Sequence, residues 1–167
     1  MRTLAPLALL CTLAASSLLA SPARLPAKPV DVFLAGVVQT VNAHDWKRLL
    51  DQYVDPEYLK FQRDKLLRGR STQFLYELLV PNYRLKGAAR CNGCNDFKRD
   101  EAACRACLDR IQGFRIVKFV EPTQRGEIAR LDVEYGIGVK GVVISVELYL
   151  RRLNDRSRPY GIGGASG

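Results

Sequence analysis

Ile128-Ala129-Arg130-Leu131-Asp132-Val133-Glu134-Tyr135 alternates apolar and polar side chains, the pattern of a strand with one face in a core and the other towards water. Leu131, Val133 and Tyr135 share one face, and Arg130, Asp132 and Glu134 the other. The pattern returns over Val142–Leu150, where Val142, Ile144, Val146, Leu148 and Leu150 point one way, and Phe114–Val120 upstream reads as a further strand. The links Glu121-Pro122-Thr123-Gln124-Arg125-Gly126 and Gly136–Gly141 are short enough for hairpins. An antiparallel meander is therefore expected in the last third of the chain.

Ahead of the meander the apolar period is helical. Val30, Phe33, Leu34, Val37, Val38 and Val41 give a helix with one buried face that ends near Asn42. Asp45 can cap a second helix carrying Trp46, Leu49, Leu50 and Tyr53. Asp55-Pro56 repeats the start signal for a segment running through Tyr58 and Leu59 to Leu67, with Gly69 as its stop. Ser71 opens another, with Phe74, Leu75, Leu78 and Leu79 on its inner face and Pro81 beyond its end. Asp96–Ile111 reads as a last helix before Gly113. Helices first and a curved antiparallel sheet afterwards make an α+β arrangement, with N-terminal helices on one face of the sheet.

Three stretches of this chain resemble the nuclear transport factor 2-like superfamily, whose members have a cystatin-like α+β cone. The first is Phe33–Val54, where an amphipathic helix breaks at Asn42-Ala43-His44-Asp45-Trp46 and a short helix follows through Leu49-Leu50-Asp51-Gln52-Tyr53. The second is Leu67-Arg68-Gly69-Arg70-Ser71-Thr72-Gln73-Phe74-Leu75, similar to the glycine-containing entry to a further helix. The closing strands are the third. The resemblance implies a bent sheet wrapped around a long helix and a cone with a mouth. In that superfamily the cone hosts isomerases, cyclases and dehydratases as well as pockets that only bind, and the sheet often mediates self-association. Fold alone does not choose among these.

Residues 1–20 read as a signal peptide: Arg2 is a basic start, and Leu4–Leu19 is an apolar stretch interrupted only by small residues and Pro6. The stretch is short against the roughly 20 apolar residues that a spanning helix needs, and processing is expected after Ala20 or Ala23. Cys11 would be discarded with it. Residues 21–29 form a Pro- and Ala-containing lead-in, and 30–167 one domain, which suits a mature chain of about 145 residues. Export to a periplasmic or extracellular compartment is expected, with no stable membrane span.

The formal net charge is +9, lowered only by the charge of Arg2 when the signal is removed. Acidic residues interleave with most of the cations, and only Arg151, Arg152, Arg156 and Arg158 approach a patch. A solvated basic surface explains this, and nucleic acid is not an expected partner.

Proton abstraction beside a carbonyl needs an acidic base facing an oxyanion-stabilising group in an apolar pocket. The pocket candidates are Asp132, Glu134 and Glu147 with Tyr53, Tyr58 and Tyr135; Tyr149 is also available. Strand alternation sets the three carboxylates opposite the apolar faces, so they serve catalysis only if the polar side is the cavity. No catalytic residue is assigned. The one histidine, His44, falls in a turn and reads as an exposed residue or a backbone hydrogen-bond donor. Gly136-Ile137-Gly138-Val139-Lys140-Gly141 matches a dinucleotide-binding string, but a strand follows it, so no helix terminus would meet a pyrophosphate.

Cys91-Asn92-Gly93-Cys94 and Cys104-Arg105-Ala106-Cys107 define an insert over residues 88–112. The spacing approaches that of a four-cysteine zinc site, the alternative reading; an oxidising compartment favours disulfides and no cofactor. Of local and long-range bridges, those joining the two arms are the less strained, most simply as nested pairs, Cys91 with Cys107 and Cys94 with Cys104, each worth about 3 kcal/mol through the unfolded chain.

The sequence thus points to an exported binding or accessory domain without catalysis, its cone-shaped pocket taking a small molecule or a protein partner. The alternatives are a small pocket enzyme of the isomerase, cyclase or hydrolase class, and a protein that self-associates as a homodimer through its sheet.

Overall fold

The computed structural model of the chain describes residues 28–62, 71–80, 100–121, 129–138 and 140–166. Its architecture is α+β: helices packed with a four-stranded antiparallel sheet in the order β1-β2-β3-β4. The strands are β1 (Ile111–Val120), β2 (Ala129–Ile137), β3 (Ile144–Arg152) and β4 (Tyr160–Ser166).

Helix α1 (Pro29–Asn42) starts with proline in its first turn, where the missing N–H is no loss. It buries Val30, Phe33, Val37 and Val41 and lies against β1. Trp46–Arg48 (α2) is capped by the Asp45 carboxylate, which accepts from the Arg48 amide at 3.1 Å. The expected second helix is not uniform: it passes into a π turn over Leu49–Tyr53, closed by the Val54 amide on the Leu49 carbonyl at 3.1 Å. Helix α3 (Pro56–Phe61) is capped by Asp55, whose Oδ1 accepts from the Glu57 amide at 2.9 Å. Its expected continuation to Leu67 and the stop at Gly69 lie outside the described residues. Helix α4 (Ser71–Leu79) buries Phe74, Leu75, Leu78 and Leu79, and α5 (Glu101–Leu108) lies against it. Glu101 joins the two by accepting from the Thr72 and Gln73 amides at 2.6 and 3.2 Å. The last helix is shorter than Asp96–Ile111 at its C-terminal end because Ile111 already belongs to β1, paired with Ile137.

Strands β2 and β3 follow the alternation closely. Leu131, Val133, Tyr135, Ile144, Val146, Leu148 and Leu150 are all buried, while Asp132, Glu134 and Glu147 are half-exposed on the far face. Val142 precedes β3 and is only half-buried. β1 breaks the alternation through two register shifts, between Gln112 and Arg115 and between Ile116 and Lys118, and bulges of this kind send neighbouring side chains to the same face. Gly138 and Gly141 adopt φ of +62° and +81° in the β2–β3 connection, the left-handed region that glycine enters without steric cost. These glycines serve a turn.

β4 was not expected. Its sequence, Tyr160-Gly161-Ile162-Gly163-Gly164-Ala165-Ser166, lacks alternation and carries three glycines, yet it pairs with β3 along its length. Ile162 also forms a parallel bridge to Val54, and the Asp55 amide donates to the Ile162 carbonyl at 2.9 Å. This strand ties the sheet to the entry of α3.

Candidate functional site

The six candidate residues do not gather in one place. Asp132, Glu134 and Glu147 lie on the open face of the sheet, beside a shallow groove of 620 Å³ that also takes in Val117, Ser145 and Ser166. Asp132 and Glu147 are directly opposed across β2 and β3, and Arg130 reaches both, with Nε 3.1 Å from Asp132 and Nη1 3.4 Å from Glu147. Arg115 holds Glu134 at 2.7 Å. The Tyr149 hydroxyl donates to Glu147 at 3.2 Å and meets the Ser166 hydroxyl at 2.7 Å. Each carboxylate is thus matched by a cation in contact with water, where such pairs contribute up to about 1 kcal/mol. Among the described residues none of the three faces a tyrosine across an enclosed apolar cavity, and the tyrosine that reaches one of them, Tyr149, does so on the groove side.

Tyr135 is on the opposite side of the sheet, 2% exposed and stacked on Phe114 with ring centroids 5.8 Å apart. Burial raises its hydroxyl well above the usual tyrosine range, with Tyr76 adding to the effect. That hydroxyl has no hydrogen-bond partner among the described residues. It belongs to the core and not to an accessible pocket with the carboxylates.

Tyr58 borders a 400 Å³ hollow between α3 and β3, and burial raises its hydroxyl too, with Glu77 reinforcing the shift. Here lies the buried carboxylate that the sequence did not disclose. Asp55, 1% exposed, accepts from Arg151 at 3.2 Å through Oδ2 while Oδ1 caps α3. Arg151 donates to Glu57 at 2.7 Å as well. With both oxygens engaged, Asp55 is a structural clamp. Its helix-capping role is visible in Asp55-Pro56, but its burial comes from β3 and β4.

Tyr53 borders a third recess, of 600 Å³, between the start of α1, the π turn and the β3–β4 connection. Its apolar walls are Pro29, Val32, Phe33, Tyr53 and Pro159, with Arg156, Ser157 and Arg158 along one side. Beneath them Phe33 meets Tyr53 edge to face at 5.5 Å and Tyr160 at 5.7 Å. Arg158 fixes the wall, donating to the carbonyls of Asp51 at 3.0 Å and of Val54.

His44 is in the turn before α2 with φ of +55°. Its Nε2 donates to the Ile111 carbonyl at 2.6 Å, and its ring stacks on Trp46 at 5.5 Å. The backbone-donor reading describes it.

Cys104 and Cys107 are buried on α5, and both are disulfide-bonded. Cys91 and Cys94 lie outside the described residues, and the pairing stays a proposal. Among the described residues no group of His, Cys, Asp and Glu could hold a metal ion, and no helix is long and apolar enough to cross a membrane.

The fold and its surfaces define a small α+β domain with a helix-covered antiparallel meander. No protein-family model matches the chain, and neither curated proteins nor solved structures show a significant match to it.

Proposed function

We propose that this is an exported binding or accessory domain that does not act as a catalyst, and that its ligand site is the recess between α1 and the β3–β4 connection. The observation that carries the reading is the partition of the candidates: the acids of the sheet are ion-paired on its open face, while the recess joins an aromatic floor to a few polar groups at its edge. Small-molecule sites are commonly concave and mostly apolar with a small number of placed polar groups. The nuclear transport factor 2-like cone is the fold relationship that accords with this, and the recess would then lie at its rim, the interior being filled by Phe114, Tyr135 and their neighbours. In the exported state Cys91, Cys94, Cys104 and Cys107 form two bridges.

The test is an NMR titration of the purified protein with a library of small organic compounds. Shifts grouped at Val32, Phe33 and Tyr53, with the compounds recovered unchanged, are expected. Chemical conversion of a bound compound would replace this reading with the pocket-enzyme one.

A second reading has its own observation. Val117 is 55% exposed on the open face, amid cations and carboxylates that could complement those of a second copy. Sedimentation over a concentration series tests this homodimer, and a monomer throughout excludes it.

A further inference from the structure

Resting on the reading of the recess as a ligand site, we infer the class of ligand: a single-chain amphiphilic anion, with its carboxylate head at Arg156 and its aliphatic chain along Val32, Phe33 and Pro159.

The charge at the rim carries the inference. Arg158 is committed to the carbonyls of Asp51 and Val54, and its Nε–H is buried with no acceptor among the described residues. Its side chain builds the wall and is not available to a ligand. Asp155 accepts from both the amide and the hydroxyl of Ser157 at 2.8 and 2.7 Å. Asp51 also lines the recess, and its carboxylate is paired with Lys47. Arg156 lines the recess, exposed, and makes no hydrogen bond or ion pair among the described residues. Around the recess Lys47, Arg156 and Arg158 outnumber Asp51 and Asp155, which leaves the rim net positive and disfavours cationic ligands.

The apolar part has its own unmet surface. Val32 is 61% exposed on α1, on the side that faces the recess. Phe33 beneath it is held by Tyr53 and Tyr160. A neutral apolar ligand would cover this floor but leave Arg156 unused, and a bare inorganic anion would meet Arg156 but leave the floor wet. An amphiphile uses both, and 600 Å³ lies within the usual range for small-molecule sites.

The experiment is calorimetric titration of the purified protein with decanoate below its micelle concentration, beside octanoate, acetate, decanol and decyltrimethylammonium. Decanoate should bind best, and removing two methylenes should weaken binding roughly tenfold, since each buried methylene contributes about 0.8 kcal/mol. Arg156→Glu and Val32→Asp should each weaken decanoate at least tenfold; both positions are exposed, and circular dichroism confirms that each variant folds. Equal binding of the cationic analogue, indifference to Arg156→Glu, or binding to anionic vesicles with none to monomeric decanoate would overturn the assignment. Decanol or the cation binding alone, with shifts at Phe33 and Tyr53, would sink the anion while sparing the binding domain. Silence of the recess towards every probe would sink both.

Discussion

The side-chain amide of Asn42, the last residue of α1, pairs with both backbone groups of Phe114. Nδ2 donates to the carbonyl and Oδ1 accepts from the amide, each at 2.9 Å. The pair fills the first bulge of β1, where the ladder to β2 skips from Gln112 to Arg115. Asn42→Ala should therefore cost about 2 kcal/mol, on the basis of roughly 1 kcal/mol for each hydrogen bond. Asn42→Asp should cost more at pH 7 than at pH 3, because an ionised carboxylate opposes the Phe114 carbonyl. Urea unfolding at both pH values measures this, and an equal loss for Asn42→Asp at pH 3 and pH 7 would contradict it.

Trp46 is 3% exposed and donates through Nε1 to Asp109 at 2.7 Å, bridging α2 to the end of α5. Trp46→Ala should cost about 3–5 kcal/mol as a large core deletion. Trp46→Phe keeps most of the apolar body but loses the donor, and should cost about 1.5 kcal/mol, the lower end of the range for bonds to charged groups because Asp109 is partly exposed. Chemical denaturation of both variants checks the order. A Phe variant as damaged as the Ala variant would give the hydrogen bond more weight than the ring.

A side chain at Gly161 would begin 2.8 Å from the Asp55 Cα, a contact with backbone that cannot rotate away. Gly161→Ala should cost about 1–3 kcal/mol, the usual range for overpacking. At Gly163 the nearest atom would be the Asp55 Oδ2 at 3.7 Å, so Gly163→Ala should be much milder. Thermal unfolding of the pair provides the comparison, and similar midpoints would show that β4 can move off α3.

Burial raises the Tyr135 hydroxyl, and the folded chain therefore holds that proton more tightly than the unfolded chain does. Its contribution to stability is complete below the ordinary tyrosine range and declines as pH rises through and above that range. Tyr135→Phe should thus reduce the loss of stability between pH 9 and pH 11, measured by denaturation at fixed pH values. Near neutrality the change should be small, within about 1 kcal/mol, because the hydroxyl has no partner among the described residues. An unchanged alkaline loss would assign it to other groups, Tyr58 among them.

The strands with one buried face were legible because Leu131, Val133 and Tyr135, and later Ile144 to Leu150, announce it residue by residue. β4 was not legible: Gly161, Gly163 and Gly164 erase the alternation, and the strand exists because β3 pairs with it and Asp55 needs the space above Gly161. The π turn was hidden for a similar reason, since Leu49 and Tyr53 suit a helix of either pitch. For the site, the sequence exposed the polar face of Asp132, Glu134 and Glu147 but not which face was covered. The recess combines residues 29–33, 51–53 and 156–159, and no local pattern links segments so far apart.

That long reach has a kinetic meaning. The bond from Arg158 to the Val54 carbonyl joins residues 104 positions apart, and the parallel bridge to Ile162 lies beside it. Closing so long a loop is entropically costly before any contact is gained, and topologies rich in such pairs fold slowly. The helical half can form its local turns early, but the floor and wall of the recess meet only when β4 docks. Binding competence should then arrive as the final event of folding, after helical signal has been recovered.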